Sequence, residues 1–406
     1  MAKTDKKEQR RAPILRFKGF TDDWEQRQLG KIGKIRSCKR IYRSQTSNKG
    51  EIPFYKIGTF GKKADSFISR ELYEEYKERF SFPQVGDILI SASGTLGRTV
   101  VYNGENAYFQ DSNIVWIDND NHLALNKYLE IYYQRVHWKA SEGSTIKRLY
   151  NSDIERTIIS IPKRDEQAKI SKCLKLLNKV IALYERKFKL LSRVKKYFLD
   201  NLFAEKEYPN LRFKGFTDAW EQCKLKNLGN IRTGNTPSKS HTKYYSSNNG
   251  KESIPWVTPT DINSEYTTQT NLYLTSEGQK YARIVPPDTL LMTCIASIGK
   301  NTISTDVSGF NQQINAIIPN DKSNIRFLYF ISFKISKYMN KIAPAGMMPI
   351  INKTEFSKIK VYIPVINEQN KISNLMEKLN YLLTLYENKQ QHLTEIKKTL
   401  LNTMFI

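Results

Sequence analysis

Little in this chain could make or break a covalent bond. Its 406 residues include only four cysteines and four histidines. Cys38, Cys173, Cys223 and Cys294 form no C-x-x-C pair, and His122, His137, His241 and His392 are scattered, so no metal-ligand spacing exists. Isolated free thiols fit a reducing cytoplasm. No apolar run approaches the roughly 18 residues a membrane helix needs, and the Lys-rich N-terminus lacks the apolar stretch of a signal peptide. A phosphate-binding G-x-x-x-x-G-K-[ST] loop is missing, as are a glycine-rich S-adenosylmethionine loop, N-P-P-Y- or D-P-P-F-type motifs and any recognisable triad. Asp65 followed by Glu75-x-Lys77 loosely resembles a nuclease pattern, but Glu74, Glu75, Lys77 and Glu78 read as a solvated charged stretch. No catalytic residue and no metal ligand is therefore assigned.

Acid is also scarce. Lys and Arg number 65 against 40 Asp and Glu, a formal charge of +25. An excess of this size points to a polyanion, most commonly nucleic acid. The net charge is +3 for residues 1–12, +5 for 13–160, +7 for 161–208, +9 for 209–362 and +1 for 363–406. Both large segments are basic, so both are expected to face the polyanion.

What the chain does have is itself, twice. RFKGFTD occurs at Arg16–Asp22 and again at Arg212–Asp218, 196 residues later, each time followed by Trp-Glu-Gln. Pro13–Arg36 and Pro209–Arg232 share 16 of 24 positions. A second block, I-P-x-x-x-E-Q-x-K-I-S, starts at Ile161 and at Ile363. The period far exceeds the roughly 20–50 residues of solenoid or propeller units, so one domain has been duplicated.

After each second block the pattern turns helical. Ile170, Leu177, Tyr184, Leu191 and Phe198 recur every seven residues, as do Ile372, Leu379, Tyr386, Leu393 and Leu400. Cys173, Val180 and Val194, or Leu375, Leu382 and Ile396, follow three positions after members of each series. This a/d seam predicts two long helices that pair with each other, the first from about Asp165 to Ala204 and about 60 Å long. Ile170, Leu177, Tyr184 and Leu191 on one helix, with Ile372, Leu379, Tyr386 and Leu393 on the other, are the expected pairing residues. Arg186, Lys187, Lys189, Arg193, Lys195 and Lys196 add a basic run to the first helix.

The interiors of the two copies, 37–157 and 233–359, diverge and keep only a skeleton. Ile52-Pro53 matches Ile254-Pro255; strand-like runs from Asp87 and Asp288 lead to glycine turns at Leu96-Gly97-Arg98 and Ile298-Gly299-Lys300; Gln110 and Asn113 are matched with Gln312 and Asn315. Helical stretches are expected at Lys127–Ala140 and Ile325–Ile342. The fold class is therefore α+β. Two pseudo-repeated domains are separated by two long helices that pair as a coiled coil. Boundaries fall at 1–12 (basic tail), 13–160, 161–208, 209–362 and 363–406.

The two RFKGFTD…WEQ entries, the strand-and-turn skeleton and the two IP…EQxKIS helix starts together resemble the specificity subunit of type I restriction–modification systems. The resemblance covers nearly the whole chain, in that family's order. It implies two target recognition domains, each reading one half of a split target in double-stranded DNA. The helices would then pack as an antiparallel coiled coil and serve as a spacer, with two methylation subunits docked on them and translocase–nuclease subunits beyond. Methylation at adenine N6 would be the partners' work. S-adenosylmethionine, ATP and Mg²⁺ would belong to those partners and none to this chain. Thr233-Gly234-Asn235-Thr236-Pro237 resembles the family's early G-x-T-P turn, whereas the first copy has Ser37-Cys38-Lys39-Arg40-Ile41 there.

Basic side chains set register on phosphates while amides and arginines reach base edges. The expected DNA face comprises Lys56, Ser93, Thr95, Arg98, Ser144, Lys147 and Arg148 in the first domain. In the second it comprises Thr258, Thr260, Lys300, Asn301, Gln312 and Gln313. Two other readings stay open: a coiled-coil adaptor that reads no DNA, and a DNA-modifying enzyme acting alone. The shared RFKGFTD is expected to join each domain to the helical frame, since domains with different targets would hardly share a reading element.

Overall fold

A computed structural model of the chain describes residues 12–138, 148–203, 205–343 and 349–406. The fold divides into two compact units, one comprising residues 1–185 and 388–406, the other residues 186–387.

In the first unit a four-stranded antiparallel sheet runs in the order 33–36, 114–119, 88–91, 99–101, and a smaller sheet in the order 67–68, 52–55, 108–109. Side chains alternate across the larger sheet as the two-residue period requires. Ile88, Ile90, Val115 and Ile117 point to one core with Trp24, Tyr128 and Ile170, while Leu89, Ile114 and Trp116 point to another with Phe54, Phe60 and Tyr108. The second unit repeats the plan with five strands, ordered 229–233, 314–319, 289–293, 301–304, 266–267. Leu290, Met292 and Ile317 face one core, and Leu291, Ile314 and Ala316 face the other.

The helix expected at Lys127–Ala140 spans only Asn126–Tyr132. Beyond it Tyr133 and Trp138 pack on each other with ring centroids 5.7 Å apart, which turns the chain inward. Trp138 in turn fills the space where a Cβ on Gly97 would stand, at 2.0 Å, and Gly97 has a φ of +72°. The counterpart at Ile325–Ile342 forms as expected.

Each long helix has 38 residues, Arg164–Asn201 and Ile366–Thr403. Pro162 and Pro364 precede them, where a missing N–H costs little. In the first unit the start of the first helix meets the end of the second: Ile170 and Leu174 share a core with Met404 and Phe405, against which Leu400 and Leu401 pack. In the second unit Leu191, Val194 and Phe198 of the first helix pack on a core containing Ile372, Met376 and Leu379 of the second. The pairing is antiparallel in both. Its mid-region is half-exposed and pairs by charge on aromatic faces: Lys389 lies 5.9 Å from the Tyr184 ring, and Lys187 lies 5.6 Å from that of Tyr386. Lys195, half-buried, has its ammonium pKa lowered by that burial, against the attraction of Glu265.

The repeated blocks hold each other. Arg16 donates Nε–H and Nη2–H to the two oxygens of Glu166 at 2.7 and 2.8 Å, and Arg212 grips Glu368 the same way at 2.8 and 2.8 Å. Lys169 stands 4.8 Å from the Phe20 ring, and Lys371 4.9 Å from that of Phe216. Gln167 accepts the Leu125 N–H at 2.7 Å and donates to the Leu123 and Pro162 carbonyls; Gln369 does the same with Asn324, Lys322 and Pro364. The entry strand 25–28 pairs antiparallel with 158–161, and 221–224 with 360–363, in matching register.

Both helices end in an aromatic plug. Phe203 packs on Phe327 at 5.3 Å beside Trp220, and Phe405 packs on Trp24, Tyr128 and Tyr132 at 5.7–6.1 Å. Next to each plug one backbone bond ties the helix end to an entry segment, Leu211 N–H to the Asn201 carbonyl at 3.0 Å and Leu15 N–H to that of Thr403 at 2.8 Å.

Two stability outcomes follow. Arg212→Met leaves the Glu368 carboxylate, 0% exposed, without its partner. It should lower the unfolding free energy by about 3–5 kcal/mol in denaturant titration, whereas Lys371→Met should cost no more than about 1 kcal/mol. Phe405→Ala, which empties a site 3% exposed, should cost about 3–5 kcal/mol and reduce the near-ultraviolet dichroism of the aromatic cluster.

Candidate nucleic-acid interface

One hydroxyl organises the glycine turn in each domain. In the first, Ser91 N–H donates to the Arg98 carbonyl at 2.9 Å and the Ser91 carbonyl accepts the Gly97 N–H at 2.9 Å. Ser91 Oγ accepts the Arg98 N–H at 2.8 Å and donates to the Thr95 carbonyl. Thr293 makes the same four bonds with Lys300, Gly299 and Ser297. Ser91 and Thr293 escaped sequence reasoning; their signal is a hydroxyl seven residues before the Arg or Lys. The cation then reaches back to a neighbouring loop. Arg98 donates Nη1–H to the Phe60 carbonyl at 3.0 Å, and Lys300 donates Nζ–H to that of Pro259 at 3.0 Å.

Around the first turn the structure gathers most of the expected face. Ser93 donates Oγ–H to Asn113 at 2.8 Å and forms an isolated bridge with Arg148, whose guanidinium donates to the Ser112 carbonyl at 3.0 Å. Thr95 is exposed at the tip. Lys56 sits in the adjoining loop and pairs with Asp65 at 2.8 Å, so Asp65 is a counter-ion, and Glu75 is likewise taken by Arg79 at 2.6 Å. Ser144 and Lys147 lie outside the described residues.

In the second domain Thr258 donates Oγ–H to Asp261 at 2.6 Å and touches the Thr260 hydroxyl at 2.8 Å. Gln312, exposed, accepts from Thr236 Oγ, and Gln313 accepts from the Asn311 amide at 3.1 Å. Asn301 departs from expectation. It is 8% exposed, and its amide donates to Ser336 Oγ at 3.3 Å on helix 325–342, so it binds the turn to that helix and does not face solvent.

The matching of Gln110 and Asn113 with Gln312 and Asn315 also needs correction. Ser91 pairs with Ile114 and Thr293 with Ile314, which puts Asn113 opposite Gln313 in the two folds. The first domain carries one extra residue in this turn, with Ser112 at a φ of +51°. Asn315 is buried, donating to Cys294 Sγ at 3.2 Å.

Burial pushes the Cys38 and Cys294 thiols up to about 12 and the Cys223 thiol up to about 11, which makes poor nucleophiles of all three. Among the described residues, no group of three or more His, Cys, Asp or Glu side chains is placed to hold a metal. No described helix is long and apolar enough to cross a membrane.

The family model of the type I restriction modification DNA specificity domain matches residues 21–193 and 217–395. A Haemophilus influenzae protein assigned as a type I restriction enzyme specificity subunit is 60% identical over 143 residues, 35% of this chain and 37% of that one. The type I restriction enzyme HindI specificity subunit of the same organism is 34% identical over 193 residues, 45% and 40% of the two chains. The chain thus spans about two fifths of the length of these curated relatives. In fold it is similar to the crystal structure of a type I restriction–modification S subunit from M. genitalium, with a TM-score of 0.60 at 14% identity, over 97% of this chain and 99% of that one. With both matched segments falling on the two repeated units, the chain belongs to the type I restriction–modification DNA specificity family, whose domain it carries twice.

Proposed function

We propose that this chain is the sequence-reading subunit of a type I restriction–modification complex and performs no catalysis itself. One observation carries the reading: two domains keep the same joint to the helices and the same hydroxyl-locked turn, while the side chains at their turn tips differ. Ser93, Gly94 and Thr95 stand where the second domain has Ile295, Ala296 and Ser297, under the same hydroxyl lock. A frame that stays constant under a changing surface is what two readers with different targets need. Each domain reads one half of a bipartite target in double-stranded DNA, and the paired helices set the distance between halves. Lys56, Ser93, Thr95, Arg98 and Arg148 form one reading face; Thr258, Thr260, Lys300, Gln312 and Gln313 form the other.

Two methylation subunits would dock on the helices, joined by translocase–nuclease subunits. S-adenosylmethionine, ATP and Mg²⁺ would be held by those partners. The thiols raised by burial and the carboxylates already engaged with cations support a chain that reads and leaves chemistry to others.

Replacing residues 37–157 with the interior of another recognition domain should change one half of the target and leave the other intact, as read by genome-wide mapping of modified adenines. A change in both halves would refute two independent readers. Leu177→Pro, which breaks the first helix by about 3 kcal/mol or more, should abolish methylation at every site. If purified chain with DNA, S-adenosylmethionine and Mg²⁺ turned over unaided, the non-catalytic assignment would fail.

A further inference from the structure

Basic and aromatic side chains gather on the second domain at a place where none of the residues expected to read DNA lies. Tyr244 and Tyr281 stack with ring centroids 4.9 Å apart and an interplanar angle of 26°, and His241 extends the stack at 5.0 Å from Tyr244. Tyr281 is 55% exposed. Lys239, Lys243, Lys280 and Arg283, all exposed, lie within two residues of the stacked rings along the chain, with Glu277 the acid acting on Tyr244. Among the described residues no carboxylate pairs with any of these four cations. Some surface cations elsewhere are paired, as in Arg36–Asp118, Arg70–Glu51 and Lys163–Asp22.

The stack is built, not incidental. Asn235 donates to the Tyr281 carbonyl at 2.7 Å and accepts the Arg283 N–H at 2.6 Å, and Arg283 Nη1–H donates to the Thr233 carbonyl at 2.6 Å. Gly278 lets the segment 276–283 close on Tyr244, whose carbonyl oxygen would lie 2.2 Å from a Cβ there. The same loop carries Thr236, which bonds Gln312, so the wall adjoins the proposed reading face.

The first domain has a counterpart at the same point of its frame. After strand 33–36 come Lys39, Arg40 and Arg43, with Tyr42 at 61% exposure. Here the charges are partly engaged, Arg40 with Asp111 at 2.9 Å and Lys39 over the Phe80 ring at 5.0 Å. Two loops with unrelated sequences have thus placed cations and aromatics alike.

Clustered, unpaired cations repel one another, and a rigid neighbouring polyanion relieves that repulsion. Tyrosine hydroxyls and lysines reach phosphate oxygens, and such contacts fix register without reading sequence. We propose that the wall formed by Lys239, Lys243, Lys280, Arg283, Tyr244 and Tyr281 grips the DNA backbone beside the half-site read by the second domain, independently of base sequence. This rests on the DNA-reading function proposed above.

The test uses the chain assembled with its methylation subunits and measures DNA affinity at graded salt, for target and non-target duplexes. With Lys239, Lys243 and Lys280 all changed to Ala, the slope of log affinity against log salt should become shallower by about 2–3. Affinity should fall by the same factor on both duplexes. The triple Lys→Arg variant should keep the wild-type slope. An unchanged slope and affinity in the Ala variant would overturn the proposal, as would a loss confined to the target duplex, which would make these side chains base readers. A wild-type complex that prefers no sequence would instead sink the reading function, because the slope change reports the wall regardless of preference.

Discussion

Everything else in each domain hangs on one ion pair, the bidentate grip of Arg16 on Glu166 and of Arg212 on Glu368. The carboxylates are 1% and 0% exposed, and the guanidinium fork fills both oxygens of each, as a buried charged pair requires. A buried pair is a weak source of net stability, because desolvation consumes most of the Coulombic gain. What it supplies is position. The guanidinium fork admits one orientation of the entry segment against the first helical turn, and the strand pair 25–28/158–161 or 221–224/360–363 then closes the domain at its neck. The neighbouring Lys–Phe contact and the glutamine that bridges three backbone groups complete the same joint in both units.

The helices are anchored unequally along their length. At each start the apolar side chains sink into a domain core, and at each end a phenylalanine plugs a cluster of aromatic rings. Between those anchors the seam is half-exposed and leans on lysine–tyrosine contacts worth about 0.5–1 kcal/mol each. A straight helix with 3.6 residues per turn drifts from a strict seven-residue repeat. That drift brings Leu174 and Met376, helical residues off the repeat, among the deepest residues of the two units. The domains, more than the seam, hold the ends of the pair.

The frame was legible because repetition exposes it. In both units the arginine and the second phenylalanine of RFKGFTD find their partners in the glutamate and lysine of EQxKIS. The two long helices were legible from periodicity, since a 3.6-residue pattern unbroken by Pro or Gly over 38 residues has few alternatives. The turn interiors were less so. Matching Asn113 with Asn315 by residue type missed one inserted residue, because Ser112 in the left-handed region leaves no signal in composition. Asn301 looked like an exposed amide beside a lysine, yet alternation along its strand turns it inward to Ser336. Ser91 and Thr293 were passed over because a hydroxyl that serves the backbone resembles any other hydroxyl in the sequence.

These failures fall in one place, and their location carries meaning. Where both copies must do the same mechanical work, one-dimensional matching succeeds; where they present different surfaces, it fails by a residue or by a side-chain direction. The shared hydroxyl lock shows how both conditions coexist. Ser91 and Thr293 bind only backbone, so they set the path of the turn without constraining the side chains at its tip. A tip of Ser-Gly-Thr and a tip of Ile-Ala-Ser can therefore occupy the same path, the second holding Ala296 at a φ of +60° where the first has Gly94 at +66°. Alanine tolerates that region at a cost of about 1–2 kcal/mol, so the path itself is what the fold protects. A scaffold that places its shared interactions on backbone leaves its side chains free to vary, and that freedom is what the proposed reading of two targets with one fold requires.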